Sequence, residues 1–355
     1  MKSKVYFIPT KDSNSLKIID DKLQVLLGRS QVLAFIPRES KVAVKVHFGE
    51  EGNTGFVRPE HLRVICDEIS NIGASAFLSD ANTLYRGRRL NSQDHLELAY
   101  EHGFTKEVIG ADVIIPDDTK KENLIAVEIN QRFIKSAKLA RIFIDTKNLV
   151  VVSHFKGHIL TGFGGALKNV GMGCASREGK LAQHCDVAPV VHADACIGCG
   201  ACKIICPVAA IHLENKKSVV DSSKCIGCAS CLAVCPTMAM FIDFAAGDKV
   251  QDKMVEYSLA VLKDKKNKAG FINFALKINK ECDCWGADNP RIAPDVGILA
   301  SSDPVSIDKA SFDLVNKASG KDIFKATHPD QDGIKQLKYA QEIGLGNLDY
   351  ELIEL

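Results

Sequence analysis

Two short runs in the second half of the chain repeat one pattern of cysteines. The first reads Cys196-Ile-Gly-Cys199-Gly-Ala-Cys202-Lys-Ile-Ile-Cys206-Pro207, and the second reads Cys225-Ile-Gly-Cys228-Ala-Ser-Cys231-Leu-Ala-Val-Cys235-Pro236. Cys225 follows Cys196 by 29 residues, and every other cysteine of the second run keeps this offset. Self-similarity at a fixed offset indicates an internal repeat. Both runs have the spacing C-x2-C-x2-C-x3-C-P.

This spacing is typical of bacterial ferredoxins with two [4Fe–4S] clusters, in which the first three thiolates of a run bind one cluster and the fourth binds the other. One cluster is therefore expected on Cys196, Cys199, Cys202 and Cys235. The second is expected on Cys225, Cys228, Cys231 and Cys206. Structural zinc is the alternative, because thiolates at two-residue spacing also bind zinc. A zinc ion needs only four thiolates, however, and does not require the doubled run.

Length and composition bound the fold and the partners. A chain of 355 residues can hold one large and one small domain, and its net charge of +1 does not suggest a nucleic-acid-binding surface. The first ten residues lack the apolar stretch of a signal peptide, and no apolar run approaches the ~20 residues of a membrane helix. We expect no nucleic-acid and no membrane partner. Thiolates that hold iron indicate a reducing compartment, so we expect a cytoplasmic protein of an anaerobe.

Strand-like and helix-like segments alternate on both sides of the cysteine runs. Residues 41–48 are β-branched and alternate in polarity, Pro59 then begins a helix, and residues 74–80 form the next strand. Helices are also predicted near residues 134–142 and over residues 304–317, the second capped by Asp303 and ended by Gly320. This alternation predicts an α/β fold in which a mostly parallel sheet carries helices on both faces.

The cysteine runs interrupt this pattern instead of ending it. We therefore expect one α/β domain built from residues 1–186 and 244–355, with a two-cluster ferredoxin-like domain inserted at residues 187–243. Residues 349–355 are expected to form an edge strand of the α/β sheet.

Polar residues collect in loops that follow the predicted strands. In open α/β sheets ligands bind at the carboxyl edge of the strands, where these loops lie. The catalytic candidates in these loops are His47, Glu50, Lys156 and His158. The nearby arginines Arg86, Arg88 and Arg89 are predicted to be a solvated surface run instead of a substrate clamp.

A glycine-rich turn is the candidate site for an anionic cofactor or substrate. Its residues are Gly162, Gly164, Gly165, Lys168 and Asn169. Backbone N–H groups in such a turn can bind an anion, although an ordinary tight turn is the alternative. The spacing fits neither the dinucleotide fingerprint nor the P-loop, so no nucleotide is predicted.

Four cysteines outside the repeat suggest a third metal site. They are Cys174, Cys185, Cys282 and Cys284. In an extended segment the side chains of Cys282 and Cys284 point the same way, so both thiolates could bind one metal or one cluster. The alternative is that these cysteines are small apolar residues of the core.

The chain resembles a family of uncharacterised iron–sulfur-centre proteins in which a domain of unknown function carries an inserted two-cluster ferredoxin module. The resemblance is carried by Lys45-Val-His47-Phe-Gly49-Glu50, Asp80-Ala-Asn82-Thr83-Leu84-Tyr85-Arg86-Gly87, His154-Phe-Lys156-Gly157-His158, Gly162-Phe-Gly164-Gly165-Ala-Leu-Lys168-Asn169-Val-Gly171-Met172-Gly173, Cys282-Asp-Cys284-Trp285 and Ser302-Asp303-Pro304. It covers nearly the whole chain. It implies an inserted module and names no substrate.

Three functions are compatible with these features. The first is a redox enzyme that passes electrons from a low-potential donor or redox partner protein, through two clusters, to an anionic small molecule or a further metal centre. The second is an electron carrier or adaptor whose large domain docks a partner enzyme. The third is a non-redox enzyme with structural clusters, in which His47, Glu50 or His158 performs acid–base chemistry. The size of the α/β part favours the first, because a plain electron carrier does not need it.

Overall fold

The computed structural model describes residues 2–85, 87–184, 188–225, 227, 229–241 and 249–355. The strands are β1 (Ser3–Pro9), β2 (Lys41–Lys45), β3 (Ser75–Ser79), β4 (Asp112–Ile114), β5 (Leu124–Glu128), β6 (Ser136–Ala140), β7 (Asn148–His154), β8 (Lys156–His158), β9 (Gly162–Gly164), β10 (Val190–Val191), β11 (Ile211–Glu214), β12 (Lys217–Val220), β13 (Met240–Phe241), β14 (Ala269–Ala275), β15 (Gly297–Ser301) and β16 (Tyr350–Glu354).

The helices range from single turns to sixteen residues. They are α1 (Leu16–Ser30), α2 (Pro59–Asn71), α3 (Ser92–Glu101), α4 (Lys106–Ile109), α5 (Ile142–Asp145), α6 (Ala166–Gly171), α7 (Arg177–His184), α8 (Ala201–Ile205), α9 (Ser230–Val234), α10 (Val250–Leu262), α11 (Pro304–Ser319), α12 (Ile323–Thr327) and α13 (Ile334–Glu342), with a short 3-10 turn at Lys121–Asn123. None of the helices in the described ranges has the length and apolarity that a membrane crossing requires.

Eight strands form the central sheet, in the order β16-β1-β15-β14-β7-β2-β3-β4. The run from β14 through β7, β2 and β3 to β4 is parallel. Only β15 runs against its neighbours β14 and β1 within this sheet, and β16 pairs in parallel with β1. The fold is therefore a mixed α/β architecture with a large, mostly parallel sheet, as the sequence predicted.

Both faces of this sheet are covered. Along β7, Leu149 and Val151 belong to one core, whereas Val150 and Val152 belong to the other, because successive side chains of a strand point to opposite faces. Helices α6, α10 and α11 pack on the first side, and α1 and α2 pack on the second. A strand that is buried on both faces is apolar throughout its centre, which is why β7 reads as a continuous Val/Leu run.

Several local predictions are confirmed. Helix α2 has the predicted bounds, with Pro59 at its first turn. Helix α11 begins at the predicted cap, where the Asp303 carboxylate accepts hydrogen bonds from the amides of Val305 and Ser306, and it ends at Gly320 in the left-handed conformation. Strand β16 lies at the edge of the central sheet, as predicted for the C-terminal residues.

The helix predicted near residues 134–142 is wrong, because most of this segment is strand β6. Ala137 and Leu139 are buried while Ser136 and Lys138 are partly exposed, an alternation of period two. Strand β6 pairs with β5 in an antiparallel two-stranded sheet that lies apart from the central one. Apolar residues at both two- and three-residue intervals made the local pattern ambiguous, and pairing with β5 decides it.

The cysteine runs lie in a small unit between β9 and β14. The pairs β10–β13 and β11–β12 form two-stranded sheets, and α8 packs against α9. The sheet strands β14, β15 and β16, which follow this unit in sequence, join the same sheet as β1, β2 and β7. The predicted boundaries at residues 186, 187, 243 and 244 fall outside the described residues.

The internal repeat of the sequence is also a repeat of backbone conformation. Helices α8 and α9 are both five residues long. Residues that precede or follow them have positive φ at matching positions, namely Gly198 and Gly227 (69° and 70°), Gly200 and Ala229 (76° and 57°), and Ala209 and Met238 (51° and 56°). At the described positions, two segments with the same cysteine spacing therefore share one backbone conformation.

Candidate functional site

A cavity of about 850 Å³ lies where the parallel strands β2, β3 and β7 end. His47, Asp80 and His154, which lie at or just after the carboxyl ends of these strands, line one side. Leu232, Met238, Met240 and Phe241, from the cysteine-containing unit, also line it. The cavity thus lies at the sheet edge where ligands bind in open α/β folds, and the cysteine-containing unit contributes to its wall.

Three buried ion pairs lie around this cavity. Nζ of Lys45 lies 2.9 Å from the Asp80 carboxylate, Nε of Arg89 lies 3.1 Å from Glu50, and Nζ of Lys156 lies 3.0 Å from Asp283. Burial raises the pKa of a carboxyl group, but here His154 and Lys156 outweigh burial and hold the pKa of Asp283 well below its usual range. Lys45, together with His47, likewise outweighs burial and lowers the pKa of Asp80, so Asp80 and Asp283 are ionised at neutral pH and are held to their lysines by charge.

The predicted catalytic residues His47 and Glu50 are brought together, and both contact Arg89. Nη1 of Arg89 lies 2.9 Å from Nε2 of His47, and the same guanidinium pairs with Glu50. Burial, followed by the charge of Arg89, holds the pKa of His47 well below its usual range, so the imidazole is neutral at pH 7. Glu50 is held in its ion pair with Arg89. His47 and Glu50 together therefore make a poor general base.

The other two predicted catalytic residues differ in their freedom. Lys156 is held by Asp283 and also donates to the His154 carbonyl. His158 accepts hydrogen bonds at Nδ1 from the amides of Leu160 and Thr161, which leaves its proton on Nε2. Burial and nearby lysines hold the pKa of His158 well below its usual range. His158 is therefore a neutral side chain that lines the cavity and has an N–H group to donate.

At the glycine-rich turn, Gly164 and Gly165 line the cavity, whereas the first two amides of α6 are bound by an acidic side chain of the protein itself. The amides of Ala166 and Leu167 at the start of α6 donate to the Asp308 carboxylate at 2.7 and 2.9 Å. A Cβ at Gly165 would collide with this carboxylate, and one at Gly162 would press on the backbone of Gly333. The glycines permit close packing, and Asp308 takes the place that an external anion would need.

Two lysines supply positive charge to the cavity without a carboxylate at ion-pair distance within the described ranges. Burial and the charge of Lys156 lower the pKa of Lys168 to about 7. Burial also lowers the pKa of Lys180 to about 8, and its Nζ donates to the Ala175 carbonyl. Asn169, which the sequence grouped with Lys168, instead accepts a hydrogen bond from Lys45 and donates to Ser153 and to the Val152 carbonyl.

Arg89 was wrongly predicted to be a solvated residue. It is 2% exposed, and it contacts His47, Glu50 and the Tyr85 hydroxyl. Arg88 pairs with Glu101 near the surface, as predicted, and Arg86 lies outside the described residues. Lys180 also lines the cavity and was not among the candidates.

A second, small cavity lies inside the cysteine-containing unit. The cysteines that line it are Cys196, Cys199, Cys202 and Cys235. These are three cysteines of the first run and the fourth cysteine of the second, the set expected for one cluster. Met240 lines this cavity and the large one.

Hydrogen-bond donors surround these sulfur atoms. The Ser218 amide lies 3.5 Å from Sγ of Cys196, and it lowers the pKa of that thiol together with the Gly198 amide. Burial alone would raise the pKa of Cys235, but the amide of Met240 and neighbouring donors lower it below its usual range. Both thiols are therefore biased toward the thiolate, the form that binds iron.

The second set is described in part. Cys231 is buried, Cys225 and Cys206 are partly buried, and Sγ of Cys206 accepts a hydrogen bond from the Ala210 amide at 3.2 Å. Cys228 lies outside the described residues. No group of three or more His, Cys, Asp or Glu side chains within the described ranges converges on one metal-ion position. A cube-shaped cluster binds each thiolate at a different iron, so its ligands surround a volume instead of one point.

The four cysteines predicted to form a third metal site do not converge on one position in the described part of the chain. Cys282 and Cys284 are joined in a disulfide. Cys174 is buried in the main core, where burial raises the pKa of its thiol to about 12, so it packs as an apolar residue. Cys185 lies outside the described residues. Cys174 thus packs in the core while Cys282 pairs with Cys284, and a third metal site that involves Cys174, Cys185, Cys282 and Cys284 stays a prediction.

Comparisons with solved structures find distant likenesses. The lactate racemase apoprotein from Thermoanaerobacterium thermosaccharolyticum is 12% identical, with a TM-score of 0.39 over 76% of this chain and 50% of that chain. A protein from Thermotoga maritima is 11% identical, with a TM-score of 0.42 over 85% of this chain and 59% of that one. The chain thus spans half to three-fifths of the length of these proteins. No curated protein matches the chain.

The sequence also matches a family model, described as a domain of unknown function (DUF362), over residues 42–313. This match covers the strands that form the cavity edge as well as the cysteine runs. It agrees with the predicted resemblance to an uncharacterised family, and it carries no statement about iron. The protein belongs to the DUF362 family.

Proposed function

We propose that this protein is an iron–sulfur oxidoreductase that delivers electrons to an anionic small molecule bound in the sheet-edge cavity. Cys196, Cys199, Cys202 and Cys235 would hold one [4Fe–4S] cluster, and Cys225, Cys228, Cys231 and Cys206 would hold the other. When bound, such clusters accept and release single electrons at low potential. A low-potential electron donor or a redox partner protein would supply these electrons.

The observation that carries this proposal is the position of Met240. It lines the small cavity of four cysteines and also the large cavity of about 850 Å³. The same residue donates its backbone amide toward Cys235. One residue therefore borders both the expected cluster site and the site at the sheet edge, an arrangement that an electron carrier without a substrate of its own would not require.

The charges of the cavity support an anionic substrate. The cations of the three ion pairs are neutralised by their own carboxylates, whereas Lys168 and Lys180 have no such partner in the described residues. The Nε2–H group of His158 adds a neutral donor. His47 is neutral beside Arg89, and Glu50 is held in an ion pair with the same arginine. The arrangement therefore supports electron delivery better than acid–base chemistry through His47 and Glu50.

The pKa of Lys168 predicts how anion binding depends on pH. Because this pKa lies near 7, the side chain is charged below that pH and becomes neutral above it. Sulfate keeps its charge between pH 6 and pH 9, so its affinity should fall roughly tenfold or more across this range as Lys168 loses its proton. Isothermal titration calorimetry measures this change.

Two variants accompany this titration. Lys168→Arg keeps a full charge at all these pH values and should bind sulfate with a flatter pH profile. Lys309→Met is the matched control, because Lys309 pairs with Asp313 on α11 and does not line the cavity. Sulfate affinity that is independent of pH in the unaltered protein would contradict the role given to Lys168.

The link between the cavity and the clusters is tested by a redox titration of anaerobically purified protein, followed by electron paramagnetic resonance. Negative charge in the cavity opposes the uptake of an electron nearby. Sulfate should therefore shift the midpoint potential of one cluster to a lower value, and Lys168→Met should abolish the shift. Midpoint potentials that stay the same in saturating sulfate would contradict electron delivery to this cavity.

A further inference from the structure

The Cys-Asp-Cys segment forms part of the wall of the large cavity. Cys282 and Cys284 line this cavity together with Met240 and Phe241 of the cysteine-containing unit. They form a disulfide, with Cα atoms 5.3 Å apart. The other cysteines of the described residues are free thiols. The one oxidised pair in that part of the chain thus lies in the cavity that the proposed function supplies with electrons.

The segment is held in place by bonds that do not depend on the disulfide. Between the two cysteines, Asp283 is fully buried and bonded to His154 at 2.8 Å and to Lys156 at 3.0 Å. Its carbonyl accepts a hydrogen bond from the Glu50 amide, and the Tyr85 hydroxyl donates to the carbonyl of Cys284. Opening the S–S bond would leave this backbone anchored, so the two sulfur atoms would remain neighbours and could close again.

A purely structural role explains this disulfide poorly. The stabilisation from a disulfide grows with the length of the loop that it closes, and this loop contains only Asp283 between its ends. The backbone around Asp283 is already fixed by its own hydrogen bonds. Cys282 is 4% exposed and Cys284 is partly exposed, so the pair borders the cavity while being shielded from bulk solvent.

We propose that Cys282 and Cys284 form a redox-active pair that stores two electrons delivered to the cavity. In the step, the S–S bond breaks, the pair takes up two electrons from a low-potential one-electron carrier and two protons from solvent, and two S–H groups form. Single electrons that arrive one after the other are thus collected as a pair, and most reductions of small molecules need two electrons. The inference rests on the proposed function for the source of the electrons.

Mass spectrometry of alkylated peptides tests this inference without measuring activity. Two samples of anaerobically prepared protein are compared, one taken before and one after incubation with reduced methyl viologen. Each is denatured in the presence of iodoacetamide, which alkylates free thiols. The peptide that contains Cys282 and Cys284 should begin unalkylated, lighter than the dithiol form by two hydrogen atoms, and should become doubly alkylated after incubation. Peptides with Cys66 and Cys174, which are free thiols, should be alkylated in both samples and serve as the internal control.

An electron count gives a second, independent readout. Relative to the unaltered protein, a Cys282→Ser/Cys284→Ser variant should keep the same iron content and take up about two fewer electrons per chain from reduced viologen. Loss of iron in this variant would overturn the inference, because the cysteines would then be metal ligands. An unchanged electron count, or a pair that stays alkylatable in every sample after mild oxidation with diamide, would overturn it too.

The two proposals fail in distinguishable ways. A full complement of iron with a disulfide that viologen leaves intact contradicts the electron-storing pair and leaves the proposed function standing. Dithiothreitol serves as the control for chemical access, since it should open the disulfide in any sample. An absence of iron and sulfide contradicts the proposed function itself, whatever the state of the pair.

Discussion

The two cysteine runs share a backbone conformation at their described positions and differ in their surroundings. Gly198 and Gly227 have φ of 69° and 70°, and helices α8 and α9 that follow them match in length. The first run faces solvent, with Ile197 67% exposed and Ile204 84% exposed. The second run lies against the α/β part, where Ala229 packs with Leu84, Leu181 and Leu232.

This difference teaches that the repeat sets how ligands are presented, whereas packing sets what each run can contact. A cysteine pattern repeated after 29 residues produces two equivalent frames. The first frame is open to other molecules, and the second is covered by Leu84 and Leu181, of which Leu84 also lines the large cavity. We expect the first run to respond to agents in solution and the second to changes in the α/β part.

The largest expected effect comes from replacing the fourth cysteine of either run by serine. If the runs cross-ligate, Cys206→Ser should lose about half of the iron and leave Cys225, Cys228 and Cys231 open to alkylation. Cys235→Ser should lose the same amount and leave Cys196, Cys199 and Cys202 open instead. Iron analysis combined with peptide mass spectrometry measures both outcomes. The reverse assignment of alkylated cysteines would show that each run binds its own cluster.

A smaller effect is expected from adding a methyl group to the matched glycines. At both positions a positive φ disfavours alanine by about 1 kcal/mol. A Cβ at Gly198 would also collide with the carbonyl of Lys216, whereas the nearest atom of the described residues to one at Gly227 would be Cδ2 of Leu181, at 3.6 Å. Gly198→Ala should therefore lower the midpoint of thermal unfolding and the iron content more than Gly227→Ala. Equal losses would contradict the different packing of the two runs.

The most local effect is expected at the contact between the second run and the α/β part. Leu181 is buried there, and Leu181→Ala should cost about 2 kcal/mol, the low end for a core leucine because this cluster is small. Hydrogen–deuterium exchange should rise in residues 225–235 and stay unchanged in residues 196–206. Ile204→Ala is the matched control in the exposed run, with an expected change within about 0.5 kcal/mol. Faster exchange in both runs would mean that they respond as one unit.

Local patterns in the sequence predicted most of the elements and part of the site. The helix at Pro59–Asn71 follows from a proline at a first turn and an apolar stripe, and the parallel sheet follows from alternating strands and helices. His47, Lys156, His158 and Lys168 were predicted to share the sheet edge, and all four line the cavity. Such features depend on neighbours in sequence, which a single chain displays directly.

The features that the sequence missed depend on partners far along the chain. The carboxylate of Asp308 accepts hydrogen bonds from the amides of Ala166 and Leu167, which lie 142 and 141 residues earlier in the chain. The sequence of the glycine-rich turn alone therefore gave no sign that these amides are bound. Arg89 looked solvated because its neighbours are polar, yet it contacts Glu50 39 residues earlier. Strand β6 needed β5 as a partner before its period could be recognised.

Iron and acid-labile sulfide in anaerobically purified protein test the two-cluster proposal most directly. Two cubane clusters require about eight iron and about eight sulfide per chain, with zinc near zero. The unaltered protein should reach these values, and a variant with serine at both Cys206 and Cys235 should fall far below them. Iron without sulfide, or zinc at about one or two ions per chain, would contradict an electron-delivering iron–sulfur protein.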